Sequence, residues 1–256
     1  MGSLYDEIAR YYDWEHQHFD DDIQMYLGFA AGRRGEVLDA ACGTGRTLVP
    51  LAEAGHRIIG VDSSPAMLSL ARQKVEARGL TKMVKLACVD LRNIVLRRRF
   101  GMALVALGSF HHITTLGDQR AALRNLAEHL VQGGILILDL LHPAPEWLAS
   151  GDGALVHQLT GPFPDAAGPD VLSKFVARTT TFSTQSDRQL LIYDRTSPDE
   201  TVIRRTVQME LRLLFRYEAE LLLSEAGFWV GDVYGGYFLE PYDESSSRMI
   251  FVAERR

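Results

Sequence analysis

Strand-like apolar runs alternate with helix-like stretches over residues 36–141, and this order restricts the fold more than any other feature. EVLDAA (36–41), RIIGVD (57–62), MVKLACVD (83–90), GMALVALG (101–108) and ILILDLL (135–141) read as buried strands. TLVPLAEAG (47–55) and SPAMLSLARQKVEARG (64–79) read as helices. The second has Ser64 at its N-cap, Pro65 in its first turn and Gly79 at its end. DQRAALRNLAEHLVQGG (118–134) reads as an amphipathic helix stopped by two glycines. Strands that are apolar on both faces, spaced by helices, imply an α/β fold: a largely parallel sheet with helices on both faces.

After residue 142 the texture changes. Residues 143–170 hold five prolines and no clear period. VLSKFVARTTTF, RQLLIYDR and TVIRRTVQMELRLLF then alternate with a period near two, separated by the turn-like STQSD and TSPDE. We read three antiparallel strands. RYEAELLLSEAGF (216–228) is a helix, and WVGDVYGGYF and SSRMIFVAE are strands that rejoin the first sheet. The expected organisation is one domain from 1–142 and 216–256, with an inserted antiparallel β-rich lid over 143–215. Sheet edges need covering, so the insertion is also a candidate homodimer contact.

Composition narrows the function classes. With 256 residues, 46% of them apolar, the chain can bury a sizeable core. No apolar run reaches the length of a membrane span, and MGSLYDEIAR lacks a signal-peptide pattern. Two cysteines, Cys42 and Cys88, suit a reducing cytoplasm and form neither a disulfide framework nor a zinc site. A net charge of −6 speaks against nucleic acid as partner, and Arg97-Arg98-Arg99 reads as a solvated loop.

In an open parallel sheet, ligands bind beyond the carboxyl ends of the strands. The first strand runs into VLDAACGTGR (37–46), where small residues let a ligand approach the backbone. Dinucleotide sites use G-x-G-x-x-G, but the third position counted from Gly43 is Leu48. The pattern here is acidic-x-small-x-G-x-G, on Asp39, Ala41, Gly43 and Gly45. Asp62 ends the second strand, where an acid accepts hydrogen bonds from ribose hydroxyls. Asp90-Leu91 ends the third.

Together these residues resemble the first motifs of class I S-adenosylmethionine (SAM)-dependent methyltransferases, with Ala41 where that family usually has glycine. The likeness covers residues 37–140 and returns at YEAELLLSEAGF. It implies a Rossmann-like class I sheet, SAM as cofactor and S-adenosylhomocysteine (SAH) as product. It further implies that Asp62 meets the ribose, Asp90 the adenine amino group and Leu91 the ring. Ser63, Met67, Leu107 and Tyr12 complete the implied cofactor set.

The segment after the fourth strand, LGSFHHI (107–113), lies beside the transferring methyl in that family. It lacks the Asn/Asp-Pro-Pro-aromatic sequence of enzymes that methylate nucleic acid bases, which points to a small-molecule acceptor. His112, then His111, is the candidate base, and along an extended segment the two face opposite ways. Tyr5 and Tyr11 in the N-terminal flap, and Asp139 and His142 at the end of strand five, are candidate substrate contacts. Trp147, Phe163 and Tyr193 are candidate pocket walls. The chain is most similar to bacterial amino-sugar and small-metabolite methyltransferases, so an amine is the favoured acceptor over hydroxyl or carbon, with no metal. A SAM-binding protein without transfer, SAM-assisted chemistry of another kind and an NAD-dependent oxidoreductase are the alternatives.

Overall fold

The computed structural model describes residues 4–144, 148, 153–163 and 169–256. Trp147 lies outside them. Two helices, α1 (Leu4–Glu15) and α2 (Asp21–Ala31), precede the first strand. Strands β1 (Val37–Ala40), β2 (Ile58–Asp62), β3 (Val84–Cys88), β4 (Phe100–Val105) and β5 (Leu130–Leu141) follow. They alternate with α3 (Leu48–Glu53), α4 (Pro65–Ala77) and α5 (Leu116–His129). After the insertion come α6 (Arg216–Glu225), β10 (Phe228–Tyr234) and β11 (Arg248–Arg255). The seven-stranded sheet has the order β10-β11-β5-β4-β1-β2-β3, with β11 antiparallel to both its neighbours and the other six strands running the same way. Strand order reverses at β1 and β4, so a crevice opens beyond their carboxyl ends. Apolar clusters centred on Leu38, Phe100 and Phe251 and on Leu48, Leu104 and Ile137 bury its two faces.

Local signals set most helix ends. Ser64 accepts a hydrogen bond from Met67 N at 3.1 Å and Pro65 follows it. Thr115 caps α5 by accepting from Asp118 N at 3.1 Å, so the helix begins at Leu116, two residues before the expected start. The two glycines do not stop that helix. It ends at His129, and Gly133 and Gly134 lie within β5 where its register against β4 shifts. A side chain at Gly134 would meet Val131 O at 2.9 Å and Phe100 O at 3.1 Å, so the bulge admits only glycine.

The insertion forms a separate antiparallel sheet of four strands, not three: β6 (Leu155–Pro162), β7 (Val171–Thr181), β8 (Ser186–Thr196) and β9 (Val202–Arg212). The unforeseen β6 is largely exposed and bulged between His157 and Leu159, which removes the alternation that marks a half-buried strand. α1 packs against this sheet through Ile8, Tyr11 and Trp14, which contact a cluster with Phe163, Leu172 and Tyr193. Among the described residues, no helix is long and apolar enough to cross a membrane.

Candidate active site

The glycine turn is tied to its neighbours by backbone bonds. Ala41 N and Cys42 N both donate to Val61 O, at 2.8 and 3.0 Å. Ala41, Gly43 and Gly45 all have positive φ (66°, 53° and 83°). At Ala41 that conformation costs about 1–2 kcal/mol, which explains why the related pattern has glycine there. Gly43 N donates to Asp62 Oδ2 and Ser64 N to Asp62 Oδ1, each at 2.8 Å. Burial raises the Asp62 pKa, and these backbone donors oppose the rise. Asp39 is buried at the end of β1. Its Oδ2 accepts from Thr47 Oγ1 at 2.6 Å, while Oδ1 has no hydrogen-bond partner. Burial pushes its pKa up to about 7.

A cavity of about 430 Å³ lies beyond the turn. Tyr5, Tyr12, Ala41, Gly43, Asp62, Ser63, Met67, Asp90, Leu91 and His112 all line it. Asp39, Gly45 and Leu107 do not. Asp39 and Gly45 support the turn from below, Gly45 packing on Ala71 and Leu48, and Leu107 borders a second cavity. The size suits a nucleoside-sized ligand. Met67, Val89, Leu91 and Ile113 offer apolar surface for a base, and Asp62 offers acceptors for hydroxyls. The unpartnered Asp39 oxygen makes the region behind the turn favourable to a positive ligand. These features fit SAM, a cationic nucleoside.

One expected contact is arranged differently. Asp90 is bracketed by Arg92, whose Nε and a terminal nitrogen donate to its two oxygens at 2.8 Å each. Arg92 also reaches Asp118 at 3.0 Å across the rim. Its hydrogen bonds hold the Asp90 pKa below the usual carboxylate value. Oδ1 also accepts from Arg92 N at 2.9 Å, so Oδ2 alone keeps a lone pair for a ligand.

The two histidines occupy a 3-10 turn, Ser109–His112, and not an extended segment. His111 is buried. Its Nδ1 donates to Arg212 O at 2.6 Å and its Nε2 accepts from Leu141 N at 3.0 Å. Both nitrogens are used in joining β5 to β9, so His111 is corrected from candidate base to structural link. His112 lines the cavity, with Nε2 2.7 Å from the Tyr5 hydroxyl. Burial lowers its pKa to about 4, so it is neutral at pH 7 and accepts from Tyr5. Burial also holds Tyr5 protonated.

Three other expected substrate contacts lie elsewhere. Tyr11 stacks on Tyr193 at 4.4 Å between ring centroids, inside the α1 cluster. Asp139 is fully buried and accepts from Arg248 (2.8 and 2.5 Å), Leu107 N (2.9 Å), Tyr26 (3.2 Å) and Tyr237 (3.1 Å). His142 Nδ1 lies 2.6 Å from the Tyr242 hydroxyl. Asp139 and His142 border none of the cavities described here; Asp139 anchors the turn after β4.

Helix α1 roofs the cavity, and the residues that fasten it were not anticipated. Asp6 Oδ1 accepts from Ser64 Oγ at 2.6 Å and Ala66 N at 3.2 Å, at the start of α4. Asp13 Oδ1 accepts from Thr44 Oγ1 and Lys74 Nζ, both at 2.6 Å. Arg46 pairs with Asp22 and donates to Phe19 O at 3.3 Å, and the Tyr12 ring covers Gly43. The capping acids have no signature in the sequence, because their partners are about 30–60 residues away. A second cavity, about 260 Å³, separates α1 from the inserted sheet. Tyr5, Tyr12, Ser109 and Met209 border both cavities. Tyr193 lines the second, whereas Phe163 packs beside Tyr11.

Comparison with known proteins follows the same lines. A family model described as a methyltransferase domain matches residues 37–134. The chain is 30% identical over 228 residues to the cypemycin N-terminal methyltransferase of a Streptomyces species, covering 86% of this chain and 83% of that one. Its fold is similar to a SAM-dependent methyltransferase from Clostridium acetobutylicum (TM-score 0.82, 19% identity, 99% of both chains). It is also similar to the sugar N-methyltransferase KedS8 from a Streptoalloteichus species (TM-score 0.76, 22% identity, 100% and 94% of the chains). With the glycine turn, the three strand-end acids and the cavity they border, these matches place the chain in the SAM-dependent methyltransferases.

Proposed function

We propose that the chain transfers a methyl group to the nitrogen of a small-molecule amine, and that the Tyr5–His112 pair handles the amine. The observation that carries this reading is the position of Tyr5, which borders both cavities and donates to His112. In the first cavity, Asp62 would hold the ribose hydroxyls, Leu91 and Met67 the base, and Tyr12 the amino-acid end. Bound there, SAM supplies an electrophilic methyl: nitrogen's lone pair forms the new N–C bond, the C–S pair stays on sulfur, and nitrogen sheds a proton.

The chain's own groups manage that proton. The Tyr5 hydroxyl donates to neutral His112, and its oxygen is the acceptor for the amine N–H. As nitrogen becomes acidic, its proton passes to Tyr5 while the Tyr5 proton passes to His112. The second cavity, about 260 Å³, has room for the amine-bearing end of an acceptor. KedS8 is named a sugar N-methyltransferase, and the 30% identical relative an N-terminal methyltransferase.

The test is transfer of tritium-labelled methyl from SAM to amino sugars and free peptide N-termini, beside hydroxyl compounds of matched shape. Label on nitrogen is the expected result; label confined to hydroxyls overturns the reading. With an accepted amine, Tyr5→Phe and His112→Asn should each lower kcat about a hundredfold with SAH affinity retained.

A further inference from the structure

A third cavity, about 490 Å³, is walled by the rings of Phe19, Tyr237 and Phe238. Phe19 lies between α1 and α2, and the other two lie on the turn that joins β10 to β11. Phe19 and Tyr237 meet edge to face, with centroids 5.7 Å apart. Each has a guanidinium over its ring, Arg46 at 5.2 Å and Arg248 at 5.9 Å, and each guanidinium is paired with a buried aspartate. These two rings are fixed before any ligand arrives. Phe238 is 79% exposed, yet its turn is ordered by hydrogen bonds. Phe238 N donates to Glu240 Oε2 at 3.1 Å, and Gly235 N donates to Glu240 O at 2.8 Å. Leu239 has a positive φ of 63°, a strained conformation for leucine. The turn thus displays a large apolar side chain at the cost of strain and of solvation. His16 and Leu107 border both this cavity and the second. Ser109 borders the second and the first. The Cα atoms of Leu107 and Ser109, two residues apart, are separated by at most about 7 Å. A short chain of atoms therefore reaches from the first cavity to the aromatic walls.

We propose that the third cavity is an acceptor subsite for an uncharged apolar ring, which a short linker joins to the nitrogen. This rests on the amine reading above and adds the class of group that the amine carries. Three aromatic walls offer a ring both edge-to-face and offset contacts. The exposed ring of Phe238 is the surface that such a group buries, since apolar area displayed at a cavity marks a binding groove. Charge points the same way. Asp21 and Glu240 border the cavity, and Arg248 is paired with Asp139. A phosphate or carboxylate there would face two acids, whereas an uncharged ring meets no repulsion.

The test compares 3-phenylpropylamine with n-propylamine, each titrated into protein saturated with SAH. The matching alcohols, 3-phenylpropanol and n-propanol, are titrated in parallel. The phenyl group should tighten amine binding at least about tenfold. Phe238→Ser, a change at an exposed turn, should remove most of that gain and leave SAH and n-propylamine affinities unchanged. Phe238→Trp should show a blue shift in tryptophan emission on adding 3-phenylpropylamine that the wild type lacks. Equal affinity with and without the phenyl group in both series overturns the proposal, as does a wild type that binds none of the four compounds. A phenyl gain that survives Phe238→Ser would put the ring elsewhere and overturn it too. So would loss of SAH affinity in that variant, which would place the cavity on the cofactor side. A phenyl gain confined to the alcohols, and lost in Phe238→Ser, would uphold the subsite and remove the amine reading instead.

Discussion

Asp39 and Asp62 end adjacent strands, yet their carboxylates are satisfied differently. Asp62 is held by two backbone N–H groups, whereas Asp39 keeps one buried oxygen without a partner. A buried carboxylate with one unpaired oxygen favours its neutral form, and burial pushes the Asp39 pKa up to about 7. A cationic ligand at the glycine turn reverses that preference. Titrating SAM into the protein at pH 7 should therefore release about half a proton, read from heats in buffers of different ionisation enthalpy. Asp39→Asn should abolish the release, and a wild type that releases none would contradict this view of the turn. Both acids are legible in the sequence as strand ends. Their inequality is not, because it depends on which backbone groups fold around each. The same holds for His111 and His112, adjacent in sequence but set apart by what lies around the 3-10 turn.

Helix α1 shows how an element can be visible while its work is not. Its tyrosines mark it as a flap, and Tyr5 and Tyr12 do face the first cavity. Tyr11 faces the inserted sheet because residues one apart on a helix lie about 100° around its axis. Asp6 and Asp13 secure the helix to α4 and the glycine turn. The Asp13–Lys74 pair is partly exposed and contributes only about 0–1 kcal/mol, so α1 should open more readily than the sheet beneath it. In a protein with both Asp6→Asn and Asp13→Asn, amide hydrogen exchange should speed up about tenfold within residues 4–15 and stay unchanged in β1, β4 and β5. Equal acceleration throughout would mean that α1 does not open as a unit. The misread elements have equally local causes. Two glycines that resemble a helix stop instead permit a strand bulge, and β6 carries no alternation because little of it is buried.

At the scale of the whole molecule, two sheets must hold a fixed distance if the cavities between them are to keep their shape. His111 bridges them, from Leu141 N in one to Arg212 O in the other. Burial lowers the pKa of both His111 and His112 to about 4, against 6.5 unfolded. Between those values the unfolded chain binds more protons than the folded one. Their contribution is therefore complete above pH 6.5 and falls as pH drops toward 4, by about 1.4 kcal/mol per pH unit for each histidine. His111→Gln should remove one histidine's share of that slope in urea unfolding between pH 7.5 and 5. An unchanged slope would show that His111 titrates normally. The parallel half of the fold and the cofactor turn were legible because they depend on local periodicity and spacing. The acceptor side was not, since it is built where α1 meets the inserted sheet, and residues such as Tyr5 and Met209 come to border both cavities only through that contact.

The most direct measurement is a crystal structure of the protein with SAH. The expected result has the ribose on Asp62, the base against Leu91, and the thioether sulfur at the junction of the first two cavities, facing the Tyr5 hydroxyl. Sulfur directed away from Tyr5 and His112, or SAH bound outside the cavity beyond the glycine turn, would contradict it.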